Sequence, residues 1–445
     1  MITILLFILN SIPVFALTQD EIVKKISQNL PLIEESQAKL EASKYAIKGA
    51  EGEFDHKLSF KSRNRIENKY DNQYFESTIE RLTPFHGMGL VLGHRQGLGH
   101  FPSYDGKYQT SAAGEMFAGI TLPLLRNFKT DTARTNLKIA KLENEQEELQ
   151  FRLKKNFYTH KALSLFYKWI LEEKKLIIRS QLLKLAKDRS IMIEKRFQSG
   201  DIEKIKVTDA QRSIDKREDE LLKGQLDLQS VKNQLTTLLN LAESEFVSEL
   251  IANDDPELKL TTFDRKIIEN ELPQIKLLTL EKQKANLLEE QFKQEKLPGL
   301  NLDLLGSREL SGNRPYDPES LQIGVKFDIP LENRKASGKS VSQHYKLLAI
   351  EKQLEYAKRE LLRSYDYSIR AMELNHQRWQ TISKEVIKTK DVAKAESKKW
   401  QMGSSDLYSV NLREQDTADA EIRRWNSWYE FHQNILDAKL LVNTI

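Results

Sequence analysis

Residues Asp131–Ser199 read DTARTNLKIAKLENEQEELQFRLKKNFYTHKALSLFYKWILEEKKLIIRSQLLKLAKDRSIMIEKRFQS, a run of 69 residues without a glycine or a proline. The run is rich in Leu, Glu, Lys, Gln and Ala, which are good helix formers. Its apolar residues recur at three-, four- and seven-residue steps, as at Ile139, Leu142 and Leu149, and this spacing is typical of a coiled coil. The sequence therefore predicts a single long helix, roughly 100 Å from end to end.

This helix is predicted to end in a tight turn. Its last residues, RFQS at 196–199, are followed by Gly200, and helical sequence resumes from Asp209. A lone glycine between two helical runs suits a left-handed residue at the end of a helix. The two helices are therefore expected to fold back on each other as an antiparallel hairpin.

The same arrangement occurs a second time in the chain. Lys339–Met402 is another run of 64 residues without Gly or Pro, and KWQM at 399–402 precedes Gly403. Shorter segments repeat as well: Leu30-Pro31-Leu32-Ile33 matches Leu272-Pro273-Gln274-Ile275, and Leu122-Pro123-Leu124 matches Ile329-Pro330-Leu331. These matches indicate an internal duplication, whose halves are predicted to join near Asn253–Pro256.

Glycine-rich blocks precede the long helices, and in them apolar and polar residues alternate. Leu321–Ile329 shows the alternation clearly, and Leu300–Leu304, Phe54–Lys61 and Met116–Leu124 show it too. Alternation with a period of two predicts strands of a sheet with one apolar and one polar face. Segments of about ten residues with this pattern also fit a transmembrane barrel. The pattern alone is equally compatible with a half-buried sheet in a soluble domain.

The number of strands bears on that choice. Two clear strands in each half make four per chain, and four strands cannot close a membrane barrel. Because an open sheet edge is not tolerated in lipid, a membrane protein of this kind would need several chains to share one barrel. Three chains would give twelve strands.

The first glycine-rich block carries additional material. Glu76–Thr83 and Gly87–Gly97 are interpreted as an insertion of strand or loop, so the strand count within 62–115 stays open. This segment also holds His86, His94 and His100. Their spacing matches no common zinc pattern, and they are interpreted as loop histidines.

The composition excludes several classes of protein. With 69 Lys plus Arg and 65 Asp plus Glu, the net charge is +4, which provides no basic footprint for nucleic acid. There is no cysteine, which excludes disulfides, thiol catalysis and Cys-zinc sites. A mean hydropathy of −0.56 excludes a polytopic helical membrane protein. No enzyme motif occurs, so we expect no catalytic residue, no cofactor and no metal site.

Residues 1–16 are interpreted as a secretory signal. Ile2–Ile12 is almost wholly apolar, and Val14-Phe15-Ala16 places small residues at −3 and −1 of a cleavage after Ala16. The apolar run is too short to cross a bilayer, and a buried N-terminal strand is the alternative. A signal predicts a mature chain that starts near Leu17 in an exported compartment.

The duplicated order of elements, the two proline-containing strand exits and the two aromatic–glycine turns together resemble the TolC family of outer-membrane efflux proteins. This resemblance implies a mainly α-helical fold with transmembrane β structure, in which each half has the order helix, strand, strand, long helix, turn, helix. It implies a homotrimer whose chains share one β-barrel in the lipid of the outer membrane and form a coiled-coil α-helical barrel across the periplasm. It further implies a passive exit duct for efflux or for protein secretion, as in type I secretion.

The resemblance also implies partners and places for them. The partners are a periplasmic adaptor protein and an inner-membrane pump of the RND, ABC or MFS type. Phe197 with Gly200, and Trp400 with Gly403, match the periplasmic tips that meet adaptor hairpins in the family. A soluble exported coiled-coil scaffold with a small β domain is the alternative function.

The pore constriction is less well defined by the resemblance. Many relatives carry aspartates six and nine residues beyond the second turn glycine, whereas this chain has Ser409 and Leu412 there. An acidic ring in the usual place is therefore not expected. The residues left as candidates for a constriction are Lys206, Asp209, Asp406 and Ser409.

These predictions divide the chain into seven segments. They are a signal (1–16), an N-terminal helix (17–53), strands with an insertion (54–125), a long helical hairpin (126–252), a linker with the first helix of the second half (253–296), strands (297–335) and a second long hairpin (336–445).

Overall fold

The computed structural model of the protein describes residues 19–66, 69–240, 271–310 and 319–442. The predicted signal (1–16) and the predicted junction of the halves at Asn253–Pro256 lie outside the described residues. The helices, numbered in chain order, are α1 (Gln19–Asn29), α2 (Pro31–Glu51), α3 (Thr132–Gln198), α4 (Lys204–Leu239), α5 (Pro273–Glu295), α6 (Arg334–Gln401) and α7 (Leu407–Leu441). The strands are β1 (Lys57–Arg65), β2 (Asn72–Leu82), β3 (Gly89–Gly99), β4 (Glu115–Pro123), β5 (Gly299–Glu309) and β6 (Glu319–Asp328).

The two long helices confirm the duplication predicted from the sequence. Helix α3 has 67 residues and α6 has 68. Each is followed by a shorter returning helix, α4 of 36 residues and α7 of 35. The mainly helical fold class with a β region in each half is therefore confirmed.

The strand count of four per chain is wrong. The sheet has six antiparallel strands in the order β1-β2-β3-β4-β5-β6, so the first half supplies four and the second half two. The insertion forms most of the hairpin β2–β3, which pairs along its full length from Asn72↔Gly99 to Leu82↔Gly89. Strand β3 was hard to recognise because it contains Gly89, Gly93, Gly97 and Gly99, and glycine usually interrupts regular structure.

The described residues form two compact units. The helical unit comprises the described parts of Met1–Ser36, Phe151–Pro273 and Lys358–Ile445. Its core joins α1, α3, α4 and α7: Ile22, Trp169, Leu235 and Trp428 are each at most 3% exposed. Burial of each such side chain contributes about 1.5–3 kcal/mol, so this core fixes how the two hairpins pack.

The sheet unit comprises the described parts of Gln37–Gln150 and Gln274–Ala357. Its first and second halves are joined at the helix end of the sheet, where Arg126 pairs with Asp328. Gly299 lies beneath this pair, and a Cβ there would lie 2.2 Å from the Asp328 carboxylate and 2.6 Å from the Arg126 guanidinium. Only glycine leaves room for the ion pair at this position.

Candidate functional site

The two hairpin turns have the same backbone geometry. Gly200 and Gly403 have φ angles of +80° and +77°, in the left-handed region that glycine adopts most easily. The N–H of Gly200 donates to the Phe197 carbonyl at 2.9 Å, and the N–H of Gly403 donates to the Trp400 carbonyl at 3.0 Å. The next residue after each glycine donates five positions back, to Arg196 and to Lys399, each at 2.9 Å. Each turn is therefore a Schellman motif, which caps the long helix.

The aromatic residues of the two turns have different surroundings. Trp400 packs against a small cluster formed by Ile193, Val207 and Ala210 of the first hairpin. Phe197 is 37% exposed. The structure thus brings the second turn against the first hairpin through Trp400, and it leaves Phe197 at the surface.

The candidates for a pore constriction lie near the start of the returning helices. The Asp406 carboxylate accepts a hydrogen bond from the Ser409 backbone N–H at 2.7 Å and caps α7. That bond lowers the pKa of Asp406, and Lys206 lies near enough to lower it further. Asp209 pairs instead with Arg212 at 3.2 Å. Asp406 and Ser409 therefore have a capping role, and their part in a constriction stays a prediction.

A buried charge cluster links the two hairpins behind the turns, and the sequence did not reveal it. Glu414 of α7 accepts from Arg189 of α3 and, at 3.4 Å, from Arg217 of α4. Arg189 also donates to the Asn411 side chain at 2.6 Å, and Arg217 donates to the Leu182 carbonyl at 2.7 Å. The side chains of the three charged residues are at most 10% exposed. Burial lowers the pKa of Arg217, which the charge of Glu414 opposes.

The six-stranded sheet has one face rich in exposed apolar side chains, with polar residues such as His94 and Gln96 nearer the end of the sheet that is far from the helices. The registers place Leu92 opposite Ala118, and Ile120 opposite Leu304, on this face. Leu304 in turn lies opposite Ile323. Ile323 and Val325 are each 68% exposed. The large apolar residues of this face that are exposed are Leu58, Phe60, Phe75, Ile79, Leu90, Leu92, Leu98, Met116, Ile120, Leu304, Leu321, Ile323, Val325 and Phe327. With strands about 4.8 Å apart, the apolar face is about 25 Å wide.

The opposite face of the sheet is polar, and hydrogen bonds between side chains cross it. Ser59 of β1 bonds to Thr78 of β2 at 2.7 Å. Arg95 of β3 donates to Glu115 of β4 at 2.7 Å. Ser307 of β5 bonds to Ser320 of β6, also at 2.7 Å. An apolar exposed face opposite a hydrogen-bonded polar face is the pattern of a membrane barrel wall.

The sheet has two edges, β1 and β6. In the described part of the chain neither edge strand has a second strand partner. Because each neighbouring pair is antiparallel and the sheet has an even number of strands, β1 runs antiparallel to β6. The β6 edge of one copy can therefore pair with the β1 edge of another in the same antiparallel manner as within the chain.

The three histidines of the insertion lie in different surroundings. His86 has a φ of 49° and stacks on Phe128, with ring centroids 4.4 Å apart. His94 lies within β3, so its interpretation as a loop histidine is wrong, and one of its ring nitrogens lies 2.9 Å from the Ala113 carbonyl oxygen. His100 donates its backbone N–H to the Asp71 carbonyl at 2.9 Å. Among the described residues, no group of three or more His, Asp or Glu side chains is arranged to hold a metal ion.

Within the described ranges, no helix has an apolar stretch long enough to pass through a bilayer.

The fold is that of known outer-membrane channels. The outer membrane protein VceC from Vibrio cholerae matches with a TM-score of 0.69 and 13% sequence identity, over 96% of each chain. The Campylobacter jejuni CmeC outer membrane channel matches with a TM-score of 0.68 and 12% identity, over 96% of this chain and 85% of that one. The Neisseria gonorrhoeae MtrE outer membrane channel, solved in an open state, matches with a TM-score of 0.67 and 10% identity, over 96% and 88%. No protein-family model and no curated protein sequence matches the chain.

Proposed function

We propose that this chain is the outer-membrane channel subunit of a tripartite export system, a duct for efflux or for protein secretion. The observation that carries the proposal is the two-faced sheet, with exposed apolar residues such as Val325 on one side and a hydrogen-bonded polar network on the other. A contiguous exposed apolar surface marks a membrane or partner interface. Of these two kinds of interface, the likeness in fold to outer-membrane channels supports the membrane interface.

The proposed channel is a homotrimer. Six strands are fewer than the eight with which known membrane barrels start, so one chain cannot close a barrel. The number three comes from the resemblance to the TolC family, and six strands from each of three chains make eighteen rather than twelve. The antiparallel relation of β1 to β6 allows β6 of one copy to pair with β1 of the next in the antiparallel manner found within the chain. Outer-membrane lipid would contact the apolar face.

The proposed partners are a periplasmic adaptor protein at the hairpin turns and an inner-membrane pump of the RND, ABC or MFS type. The matched Schellman turns at Gly200 and Gly403 support two equivalent docking points per chain. The exposure of Phe197 makes it the aromatic contact available to an adaptor at the first turn. No nucleic acid, cofactor or catalytic step is part of this proposal.

A soluble exported scaffold is the competing function, and a cell fractionation separates the two. A scaffold must cover the apolar face with another protein, whereas a channel places that face in lipid. We expect the full-length protein to stay with outer membranes after high-salt and carbonate washing, and to be extracted by detergent as a complex with the mass of three chains. Release by salt, or a native mass of one chain, would contradict the proposal.

A further inference from the structure

In the segment that joins β3 to β4, residues 100–114, the part from 101 to 110 lies against the polar face of the sheet. The carbonyls of Ala112 and Ala113 contact the side chains of Gln96 and His94 instead, which belong to the other face. Thr110 donates its backbone N–H to the Gly97 carbonyl at 2.9 Å, and its hydroxyl accepts from the Gly97 N–H at 3.0 Å. A Cβ at Gly97 would lie 2.5 Å from the Tyr108 carbonyl oxygen. The glycine of β3 therefore allows the segment to approach the sheet more closely than a side chain would permit.

Side chains hold the same segment in place. The Tyr108 hydroxyl donates to the Glu115 carboxylate at 2.8 Å and accepts from Arg95. Arg95 also donates to Glu115 at 2.7 Å and its guanidinium carbon lies 5.2 Å from the Tyr108 ring centroid. Lys107 places its ammonium 3.4 Å from the centre of the Tyr74 ring, a cation–π contact. Three strands thus contribute a contact to this one segment.

The contacts bury residues that an uncovered sheet face would leave open to water. Tyr74 is 5% exposed, Glu115 4% and Thr110 3%. Tyr74 and Glu115 lie on the polar face. In the registers Tyr74 is opposite Gly97 and Glu115 is opposite Arg95, on the side of the sheet away from the apolar residues. In a barrel whose apolar face is in lipid, the polar face lines the lumen. Residues 101–110 would therefore lie inside the pore.

We propose that residues 101–110 form a size-selective constriction at the outer mouth of the channel, one copy per subunit. This inference rests on the proposed function. Barrel diameter grows roughly in proportion to strand number, so eighteen strands make a wall about half as wide again as twelve. An open mouth of that width would admit large external solutes. A segment fixed to the lumen wall by the Arg95–Tyr108–Glu115 network narrows the passage without altering the wall.

The absence of cysteine from the whole chain makes a direct accessibility experiment possible. Lys326 lies on the polar face of β6, beside Asn301 and nearer the helix end than the segment. Lys326→Cys provides a single thiol in the lumen. Cells that carry this variant are treated from outside with a small maleimide and with a maleimide that bears a long polyethylene glycol chain. Because the reagents enter from outside, the labelling of the thiol does not depend on whether the hairpin turns are open.

We expect the small reagent to label Lys326→Cys and the large one to be excluded. Replacement of residues 102–109 by a short Gly-Ser linker should raise the labelling rate of the large reagent about tenfold or more, because pore diameter sets which solutes pass. Gly97→Val, which displaces the segment without removing it, should raise that rate in the same direction. Glu80→Gln is the matched control. Glu80 lies on the polar face, opposite Lys57 in the register of β1 and β2, and its substitution should leave the labelling rate of the large reagent unchanged.

The outcomes separate the constriction from the channel itself. Equal labelling by the large reagent with and without the segment, in a protein whose thiol accepts the small reagent, would overturn the constriction and leave the channel intact. A thiol that no external reagent reaches, in washed membranes that hold no trimer, would overturn the channel and this inference with it. Correct assembly of each variant is checked by the native mass of the detergent-extracted complex.

Discussion

Glu414 of the second hairpin and Arg217 of the first form a buried ion pair, with their charged groups 3.4 Å apart. The same carboxylate pairs with Arg189, so one anion is the shared partner of two cations whose side chains are 7% and 5% exposed. Buried charges depend strongly on their partners, because an unpaired charge keeps its full desolvation cost. The packing of the two hairpins near their turns therefore depends on this carboxylate.

We expect Glu414→Gln to destabilise the trimer. The substitution keeps the shape but removes the only carboxylate that contacts either guanidinium among the described ion pairs, and loss of one partner of a buried pair costs about 3–5 kcal/mol. The measurement is the temperature at which the purified trimer unfolds. Glu421→Gln on the same helix is the control, since Glu421 pairs with the half-exposed Lys390 and such a pair contributes about 1 kcal/mol or less. Equal shifts for both variants would contradict the prediction.

The sequence predicted the parts of this fold that rest on long patterns. The helices α3 and α6 and their glycine turns follow from runs without Gly or Pro, and the strand pattern of β6 follows from strict alternation at Leu321–Ile329. The sequence pattern does not identify the hairpin β2–β3 as strands, because glycines interrupt the alternation in β3. Those glycines lie on the polar face, where Gly93 makes room for the Phe117 ring. That reason is visible only once the register is known.

The buried ion cluster could not have been predicted. Arg189, Arg217 and Glu414 lie in helices where charges recur every few residues, and their spacing along the chain does not distinguish them from solvated charges. Only the packing of three helices brings them together. The contacts of residues 100–114 depend in the same way on β2, β3 and β4 lying side by side.

Adjacent residues of β6 should respond oppositely to charge. Val325 lies on the apolar face and is 68% exposed, whereas Lys326 has the parity of the polar face. Val325→Arg should reduce the amount of trimer in outer membranes, because a cation on the lipid side costs roughly 2–4 kcal/mol near the middle of the bilayer. Lys326→Glu should assemble normally and change only ion selectivity. Trimer in washed membranes is measured by native electrophoresis, and equal amounts for both variants would argue against a barrel wall here.

The helical unit should lose stability in moderate acid through His432. Its ring stacks on Tyr167 with centroids 4.4 Å apart and contacts Trp428, and burial lowers its pKa from 6.5 to about 4. The unfolded chain therefore binds this proton at higher pH than the folded chain does. The contribution of His432 to stability is unaffected above about pH 6.5, falls as the pH drops towards 4 and changes no further below it. The whole loss is roughly 3 kcal/mol.

His432→Phe removes the titration and keeps an aromatic ring in the same place. The unfolding temperature of this variant should fall less than that of the unaltered protein between pH 6.5 and 4. A His432→Phe profile that matches the unaltered protein would show that another group accounts for the acid loss.

The hairpin turns should be more important for export than for assembly. At both Gly200 and Gly403 a Cβ would meet no atom within 4 Å, so the cost of a side chain there comes only from the positive φ. That cost is about 1–2 kcal/mol per residue, small against the buried core of the helical unit. Gly200→Val and Gly403→Val should therefore reach the membrane as trimers, yet export poorly per trimer because the turn presented to the adaptor has a changed shape.

Gly338→Val is the matched control, since Gly338 also has open space around it but has no positive φ and lies within α6. Export is measured as the efflux of a fluorescent substrate, divided by the amount of assembled trimer. If both turn variants export as well per trimer as Gly338→Val does, then the turns only close the helices and the adaptor docks elsewhere.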